Sequence, residues 1–326
     1  MKPQATHDTN STLLESLMDE KLITKPHKDP LPKFELEEYM AKMAKQINKA
    51  LDEAVPLQNP QTLHEAMRYT FLAGGNRVFS TLCIASCELV GGNQSLAMPM
   101  ACAMEMITTS AVILDDLPCM DNDDLRRGKP ANHKVFGEAA SVLGSHGLFC
   151  LAIEHFANKT ENISPDRKLR AIVEICSAFG SEGALAGQIT DLNSEGKEVN
   201  LSELEFIHRN KSGKFGEAST VCGAILGGGN EDEIARLRNY GMCVGLAYQV
   251  MDDILDATGN KNNKDQEGGR DLLRDKATYP KLIGVDESMK YARELVAQAI
   301  KELEYFDSVR AAPLYQMANF IVSGKC

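Results

Sequence analysis

Residues 107–121 read Ile-Thr-Thr-Ser-Ala-Val-Ile-Leu-Asp-Asp-Leu-Pro-Cys-Met-Asp, an apolar, helix-like run that ends in a cluster of aspartates. A second run of the same character, Ala-Tyr-Gln-Val-Met-Asp-Asp-Ile-Leu-Asp, occupies residues 247–256. Burying several carboxylates at the end of an apolar helix is costly unless cations neutralise them. Hard divalent cations such as Mg2+ prefer oxygen ligands and bridge carboxylates to phosphates. The two clusters therefore predict a site where Mg2+ ions hold a diphosphate group.

The spacing within each cluster indicates how its carboxylates reach one site. Asp252 and Asp256 are four residues apart, so they share one face of a helix. Asp115 and Asp121 are six residues apart and would lie on different faces of an unbroken helix. Because Pro118 cannot donate the helical hydrogen bond and disfavours helix at the preceding residue, we expect a loop that returns Asp121 toward Asp115.

The composition narrows the class of protein. The chain has 326 residues, 43% of them hydrophobic, with a net charge of −11 and a pI of about 5.2. This acidity argues against nucleic acid or an anionic membrane as a partner, whereas a diphosphate remains acceptable because bound cations invert the local field. No uninterrupted apolar run approaches the roughly 18 residues of a membrane span, so no transmembrane segment is expected. The cysteines lack metal-ligand spacing and indicate free thiols.

From residue 34 onward the pattern predicts helix after helix, because apolar residues recur at three- and four-residue spacing. The predicted helices are Leu36–Ala54, Leu63–Leu72, Arg77–Val90, Ser95–Leu114, Ala139–Ala157, Arg167–Ile189, Leu201–Leu226, Glu231–Thr258, Ser288–Tyr305 and Ala312–Val322. The two acidic helices are distant in sequence yet must meet at one cation cluster. We therefore predict an all-α fold, an antiparallel helical bundle around a central apolar cavity with a polar mouth.

Residues 1–33 are predicted to be a disordered extension, and residues 34–326 a single all-α domain. The extension is polar, contains four prolines and has one short apolar patch. A plastid or mitochondrial transit peptide would be rich in arginine and poor in acids. The extension has no arginine and five acidic residues. We expect a cytoplasmic protein, or a plastid protein if a transit peptide has been removed.

Several further segments carry a family resemblance. They are residues 122–133, which continue the first cluster as Asn-Asp-Asp-Leu-Arg-Arg-Gly-Lys-Pro-Ala-Asn-His, together with Ala186–Asp191, Lys211-Ser212 and Asp275–Pro280. With the two clusters, they resemble plant geranylgeranyl diphosphate synthases, which are trans-isoprenyl diphosphate synthases. The resemblance implies a helical bundle of the isoprenoid synthase type. It also implies a homodimer, or a heteromer with another prenyl diphosphate synthase subunit.

The resemblance assigns roles residue by residue. The catalytic acids would be Asp115, Asp116, Asp121, Asp252, Asp253 and Asp256. The ligands of several Mg2+ ions would be Asp115, Asp121, Asp252 and Asp256. The substrate contacts would be Arg77, Arg126, Arg127, Asp191, Lys211, Ser212, Gln249, Arg270 and Lys276. The substrate would be an allylic prenyl diphosphate that ionises to a carbocation, which isopentenyl diphosphate attacks in the family.

Three residues depart together from the family's site for this second substrate. The family uses a Gly-Gly-Lys-Arg-x-Arg-Pro stretch and a histidine one helix later. Here the lysine is Asn76, the second arginine is Phe79 and the histidine is Thr108. Only Arg77 and Arg127 remain as cations near this site. Because each charge-assisted hydrogen bond is worth roughly 1.5–3 kcal/mol, losing three should weaken isopentenyl diphosphate binding on the order of 10^3-fold or more.

Other departures are smaller. His146 stands where the family has an aspartate, and a structural role for it is the simpler interpretation. Gln266 replaces a lysine, although Arg270 keeps the next positive charge. Cys83 and Cys87 resemble a Cys-x-x-x-Cys element linked in plant members to subunit pairing. The simpler interpretation is two small residues on one buried helix face.

Three functions remain open on these residues. The expectation we place first is a terpene synthase derived from a geranylgeranyl diphosphate synthase, because an intact ionisation site lies beside a dismantled second-substrate site. The alternatives are a geranylgeranyl or polyprenyl diphosphate synthase of altered activity, and a non-catalytic regulatory subunit. All the motif aspartates survive, which argues against unselected decay.

Small residues before the first cluster predict a deep cavity. Ser110 and Ala111 lie about one turn before Asp115, roughly 6–8 Å along the helix. Because neither closes the floor, a prenyl tail is expected to pass toward Met106. The sequence thus predicts a preference for long allylic diphosphates.

Overall fold

The computed structural model describes residues 34–259 and 274–324. In chain order, the first half consists of α1 (Leu36–Ala54), α2 (Gln61–Leu72), α3 (Val78–Leu89), α4 (Gln94–Asp115), a two-stranded antiparallel hairpin of β1 (Leu125–Arg126) and β2 (Lys129–Pro130), α5 (Asn132–Phe136) and α6 (Glu138–Lys159). The second half consists of α7 (Pro165–Phe179), α8 (Ala184–Ser194), α9 (Leu201–His208), a π-helical turn (Arg209–Gly213), α10 (Lys214–Gly227), α11 (Glu231–Thr258), α12 (Tyr279–Ile283), α13 (Val285–Leu303) and α14 (Ser308–Ile321).

Local sequence signals set the ends of the two helices that carry the acids. The side chain of Asn93 caps α4 by accepting a hydrogen bond from the backbone N–H of Leu96 at 3.2 Å. Asn230 and Glu233 cap α11 reciprocally, each side chain accepting from the other's backbone N–H. Helix α11 ends at Gly259, whose φ of 63° is left-handed and suits glycine.

The helices pack around α10, which contacts α3, α7 and α11, while α4 packs between α3 and α6. Helices α10 and α11 approach backbone to backbone. A β-carbon on Gly216 would lie 2.4 Å from the carbonyl oxygen of Gly241, closer than packed atoms allow. This close approach holds the start of α10 against the middle of α11.

Helix α4 is long and apolar enough to cross a membrane by length and composition alone. The sequence expectation counted only uninterrupted apolar runs and found none of that length. In α4 the apolar run is interrupted by small polar residues, which scarcely lower its mean hydropathy. However, 72% of its apolar window is buried inside the bundle. Such burial is typical of the core helix of a bundle. The length and hydropathy of this one helix are therefore only weak evidence for a membrane span.

The prediction of an all-α bundle is confirmed, but two predicted helices are divided. The predicted helix Arg167–Ile189 is two helices, because Gly180 ends α7 and a β-carbon on Gly183 would lie 2.0 Å from the carbonyl oxygen of Ala178. The predicted helix Leu201–Leu226 is interrupted by the π-helical turn. The predicted extension over residues 1–33 lies outside the described residues, so the domain boundaries stay a prediction.

Candidate active site

A cavity of about 230 Å³ lies between α4, α8, α10 and α11. Its wall is mainly apolar, with four aromatic side chains: Phe79, Phe179, Phe215 and Tyr248. Asp115 and Lys211 also line it. Since Thr108, another wall residue, lies about 10 Å along α4 from Asp115, the apolar wall continues well past the charged groups. Such a cavity fits a ligand with a charged head and an apolar tail.

The loop after α4 has the return geometry that Pro118 predicts. The backbone N–H of Asp121 donates to the carbonyl oxygen of Asp115 at 2.7 Å, and that of Met120 donates to Leu117 at 2.9 Å. Asp115 lines the cavity, and its desolvation there raises its pKa to about 6, although the Lys211 ammonium opposes the shift. A carboxyl whose charge is poorly solvated gains from a cation beside it.

Neighbouring Asp116 has a different environment. It is buried, and its carboxylate accepts hydrogen bonds from Arg126, including one from Nε at 3.0 Å. Arg126 also contacts Asp123 through Nη2 at 3.2 Å. Asp116 therefore orients Arg126 beside the first cluster and does not line the cavity.

Cations from distant segments reach the same loop. Lys211, in the π-helical turn, donates to Asp191 of α8 at 2.9 Å. Lys276 donates to Asp191 at 3.3 Å and to Asp121 at 3.0 Å. Burial alone would lower the pKa of Lys211, but the carboxylates of Asp191 and Asp115 together raise it above its usual value. Three predicted site residues, Asp191, Lys211 and Lys276, thus meet in one ion network with Asp121.

The acids of the second cluster diverge. Asp253 is buried and accepts hydrogen bonds from the backbone N–H of Tyr279 at 3.1 Å and from Gln249 Nε2 at 3.2 Å. Asp252 is exposed, and it lies one helical turn beyond Tyr248, which lines the cavity. Asp252 and Asp256 therefore share the helix face that runs down to the cavity.

A second set of contacts ties α11 to the π-helical turn. Ser212 Oγ donates to Gln249 Oε1 at 2.6 Å. On the other side of Asp253, His208 Nε2 lies 3.6 Å from its Oδ2 atom. Burial lowers the pKa of His208 to about 3, so this histidine is neutral. These two contacts fix the position of the π-helical turn, which carries Lys211, relative to the end of α11, which carries Asp252.

The predicted metal ligands are of the type that a hard cation prefers. The predicted ligands Asp115, Asp121, Asp252 and Asp256 offer only carboxylate oxygens. Over the described residues, no three His, Cys, Asp or Glu side chains gather closely enough to hold a metal ion by themselves. Mg2+ is usually bound by one or two carboxylates plus substrate phosphates. The carboxylates therefore fit Mg2+ that enters with a diphosphate.

Two predicted substrate contacts are held by internal partners. Arg77 is 4% exposed and forms a buried ion pair with Glu105, while its Nε donates to Asn48 at 2.9 Å. Arg127 donates to the carbonyl oxygens of Thr70 and Gly74. The structure brings neither guanidinium to the cavity wall, so their contact with substrate stays a prediction.

Two of the three replaced residues of the second-substrate site, Phe79 and Thr108, line the cavity instead. Phe79 packs edge-on against Phe215, with ring centroids 5.1 Å apart, and lies 5.6 Å from the ring of Tyr248. Thr108 donates to the carbonyl oxygen of Met104 at 2.8 Å. Phe79 thus adds an aromatic ring to the cavity wall at a position where the family has an arginine.

The predicted depth residues differ in position. Ala111 lines the cavity. Ser110 instead faces α6, where its hydroxyl lies 2.9 Å from that of Ser145, and Met106 is buried in the core. Sequence reasoning missed Phe179 and the α8 wall residues Leu185 and Gln188, because it treated that region as one continuous helix.

It also missed His208 and Arg274, which contact acids of the two clusters from other segments, and Asp123, which pairs with Arg126 and Arg274. Cys83 and Cys87 are fully buried, as the simpler interpretation predicts. Arg270 and Gln266 lie outside the described residues. No pattern near Arg274 signals its contact with the first cluster, which lies 151 positions away.

Residues 60–312 match the polyprenyl synthetase family, and the chain belongs to this family of enzymes. Heterodimeric geranylgeranyl pyrophosphate synthase large subunit 1, chloroplastic, of Arabidopsis thaliana is 53% identical over 293 residues, covering 88% of this chain and 79% of that protein. Geranylgeranyl pyrophosphate synthase, chloroplastic, of Catharanthus roseus is 50% identical over 289 residues, covering 88% and 81%.

Solved structures agree with this family assignment. A geranylgeranyl pyrophosphate synthetase from Pyrococcus horikoshii superposes with a TM-score of 0.80 at 30% identity, covering 88% of this chain and 98% of that one. An FPP/GFPP synthase from Zymomonas mobilis gives 0.79 at 34% identity, with the same coverage. The fold is therefore the isoprenyl diphosphate synthase bundle.

These findings correct two expectations. The expected terpene synthase is wrong, because the relatives at about half identity are named geranylgeranyl pyrophosphate synthases, which are prenyltransferases and not lyases. The motif departures led to the error, because loss of second-substrate cations was taken as loss of the second substrate. A cytoplasmic location is likewise unsupported, since these relatives are named chloroplastic.

Proposed function

We propose that this chain is a Mg2+-dependent prenyltransferase of the geranylgeranyl diphosphate synthase type, which joins isopentenyl diphosphate to an allylic prenyl diphosphate. The observation that carries the proposal is the meeting of Asp115, Asp121, Lys211 and Lys276 at one end of an apolar cavity. The similarity to named synthases supports the same reaction.

The site residues suggest how the reaction proceeds. Asp115 and Asp121 on one side, with Asp252 and Asp256 on the other, would hold Mg2+, which supplies positive charge to the departing diphosphate. Lys211 and Lys276 would turn from the carboxylates to the phosphate oxygens. Arg126, oriented by Asp116, would add a further contact.

The cavity supports the remaining steps. Its apolar wall would hold the prenyl tail and exclude water from the allylic carbocation. The double bond of isopentenyl diphosphate would then attack the cation and form the new carbon–carbon bond. The resulting tertiary carbocation would lose a proton to the released diphosphate, which leaves the lengthened allylic diphosphate. Asp253 would act by orienting Gln249 and the α12 backbone.

The aromatic wall at Phe79 favours weak binding of isopentenyl diphosphate. With farnesyl diphosphate as the allylic substrate, the purified protein should add labelled isopentenyl diphosphate to it only when the isopentenyl diphosphate concentration is high. Restoring the cationic groups as Asn76→Lys, Phe79→Arg and Thr108→His should lower its KM on the order of 10^3-fold. Asp115→Ala, as a control, should abolish incorporation. Absence of product at every concentration, in the wild type and the restored variant alike, would contradict the proposal.

A heteromer is a second candidate, supported by the 53% identical relative that is named the large subunit of a heterodimeric synthase. In it, a partner synthase with a complete second-substrate site would supply elongation. Co-expression with such a subunit should change the length or amount of its product.

A plastid location, inferred from the chloroplastic relatives, can be checked by fluorescence microscopy of a tagged full-length protein.

A further inference from the structure

The segment Arg274-Asp275-Lys276 presents two cations to the first acidic loop. Arg274 Nη1 lies 3.4 Å from Oδ2 of Asp121, and Lys276 Nζ lies 3.0 Å from its Oδ1. Between them, Asp275 has a left-handed φ of 54° and pairs outward with Lys281 at 2.7 Å. This turn places both positive groups on the same carboxylate.

A second carboxylate fixes the direction of Arg274. Asp123 is buried, and its Oδ1 accepts from Arg274 Nη2 at 2.6 Å while its Oδ2 accepts from Arg126 at 3.2 Å. One acid thus holds two guanidiniums beside the loop. Arg126 is already a candidate diphosphate contact, so the shared acid points Arg274 toward the same ligand.

The charge balance of the loop changes when Asp121 binds a cation. Its carboxylate then no longer neutralises Arg274 and Lys276, whereas the Asp123 contact persists. Contacts to Asp121 and Asp123 account for two of the five N–H donors of a guanidinium. The planar guanidinium can donate two parallel hydrogen bonds to a pair of oxygens of a phosphate group, which suits a diphosphate as its ligand.

We propose that Arg274 is a further diphosphate-binding residue, held ready by Asp123 and released from Asp121 when Mg2+ and diphosphate bind. The proposal rests on the proposed function of this site. It differs from a role in which Arg274 merely competes with Mg2+ for Asp121. Such competition would make binding tighter when the guanidinium is removed.

Calorimetric titration of the full chain with inorganic pyrophosphate in saturating Mg2+ tests this directly. Arg274→Ala and Arg274→Gln should each weaken pyrophosphate binding on the order of 10-fold. Arg274→Lys should lose less, because it keeps the charge. Lys290→Ala, which removes an exposed cation of α13 that pairs with Glu287, should bind as the wild type does.

The outcomes separate the two proposals. If Arg274→Gln binds pyrophosphate as tightly as the wild type, or more tightly, the inference is overturned. Circular dichroism identifies folded variants, and the glutamine variant decides if the alanine variant unfolds. If the wild type itself does not bind Mg2+ and pyrophosphate, the proposed function of the site fails as well.

Discussion

Adjacent aspartates in each cluster have different surroundings. Asp115 lines the cavity, whereas Asp116 is buried against Arg126. Asp252 is exposed, whereas Asp253 is buried beneath the backbone of Tyr279. Successive residues on a helix point about 100° apart, so the two members of each pair lie in different environments.

Chain length tests the wall position of Ala111. Ala111→Phe should shorten the main product, for example from twenty to fifteen carbons, because the ring would enter the cavity. Ser110→Phe should instead destabilise the fold by about 1–3 kcal/mol, since Ser110 packs against α6. Chromatography of products and thermal unfolding distinguish the two. Shortening by Ser110→Phe without loss of stability would contradict these positions.

His208 should make stability depend on pH. Its folded-state pKa is lowered to about 3 by burial, while an unfolded histidine titrates near 6.5. The unfolded chain therefore binds a proton first as pH falls, and the stabilisation is complete above about 6.5 and lost toward 3.

The measurement is urea unfolding at pH 7.5 and 5.5. The loss of unfolding free energy between these values should be about 1.4 kcal/mol smaller in His208→Gln than in the wild type. His146→Gln changes an exposed histidine and serves as the control, with a loss equal to that of the wild type. Equal losses in all three proteins would show that His208 titrates normally.

At the scale of elements, the site depends on two interruptions and one close contact. The break between α7 and α8 turns Leu185 and Gln188 into the cavity wall. The π-helical turn places Lys211 beside Asp191. The glycine contact between α10 and α11 then sets the distance from that turn to the second cluster.

Separating α10 from α11 should damage both stability and activity. Gly216→Ala puts a β-carbon 2.4 Å from the carbonyl oxygen of Gly241, and backbone must move to relieve it. The expected cost is about 1–3 kcal/mol. Gly147→Ala is the matched control, because its nearest neighbour is the flexible sulfur of Met67 at 3.3 Å. Calorimetry should show a lower Tm for Gly216→Ala alone, together with reduced activity.

At the scale of the whole molecule, three side-chain cations hold the acids of different segments together. Lys211, Arg274 and Lys276 come from two segments and join α4, α8 and the approach to α12. If the network binds diphosphate as proposed, the ligand would connect the same segments, so ligand binding should stabilise the whole bundle.

Pyrophosphate with Mg2+ should therefore stabilise the folded chain. At a ligand concentration 100-fold above Kd, the expected gain is about 2.7 kcal/mol. Asp115→Asn or Asp252→Asn should remove most of the increase in Tm, whereas Asp275→Asn, which changes an outward acid, should keep it. An equal increase with pyrophosphate alone, in the presence of a chelator, would contradict metal-mediated binding.

The sequence by itself determined the helical class, most helix bounds, the return loop at Pro118 and the family. These follow from local periodicity, proline geometry and motif spacing, which need no knowledge of distant residues. It misjudged the division of Arg167–Ile189, because the strain relieved by Gly183 involves a backbone contact and no periodic signal. It also treated missing second-substrate cations as a change of reaction.

Only the tertiary structure decided which aspartate of each pair is buried against other segments and which groups accept the hydrogen bonds of Arg77 and Arg127. It alone brought Arg274 to Asp123. These outcomes depend on packing between segments that are far apart in sequence. A side chain's partners are set by which helix face is covered, and neither composition nor spacing encodes that choice.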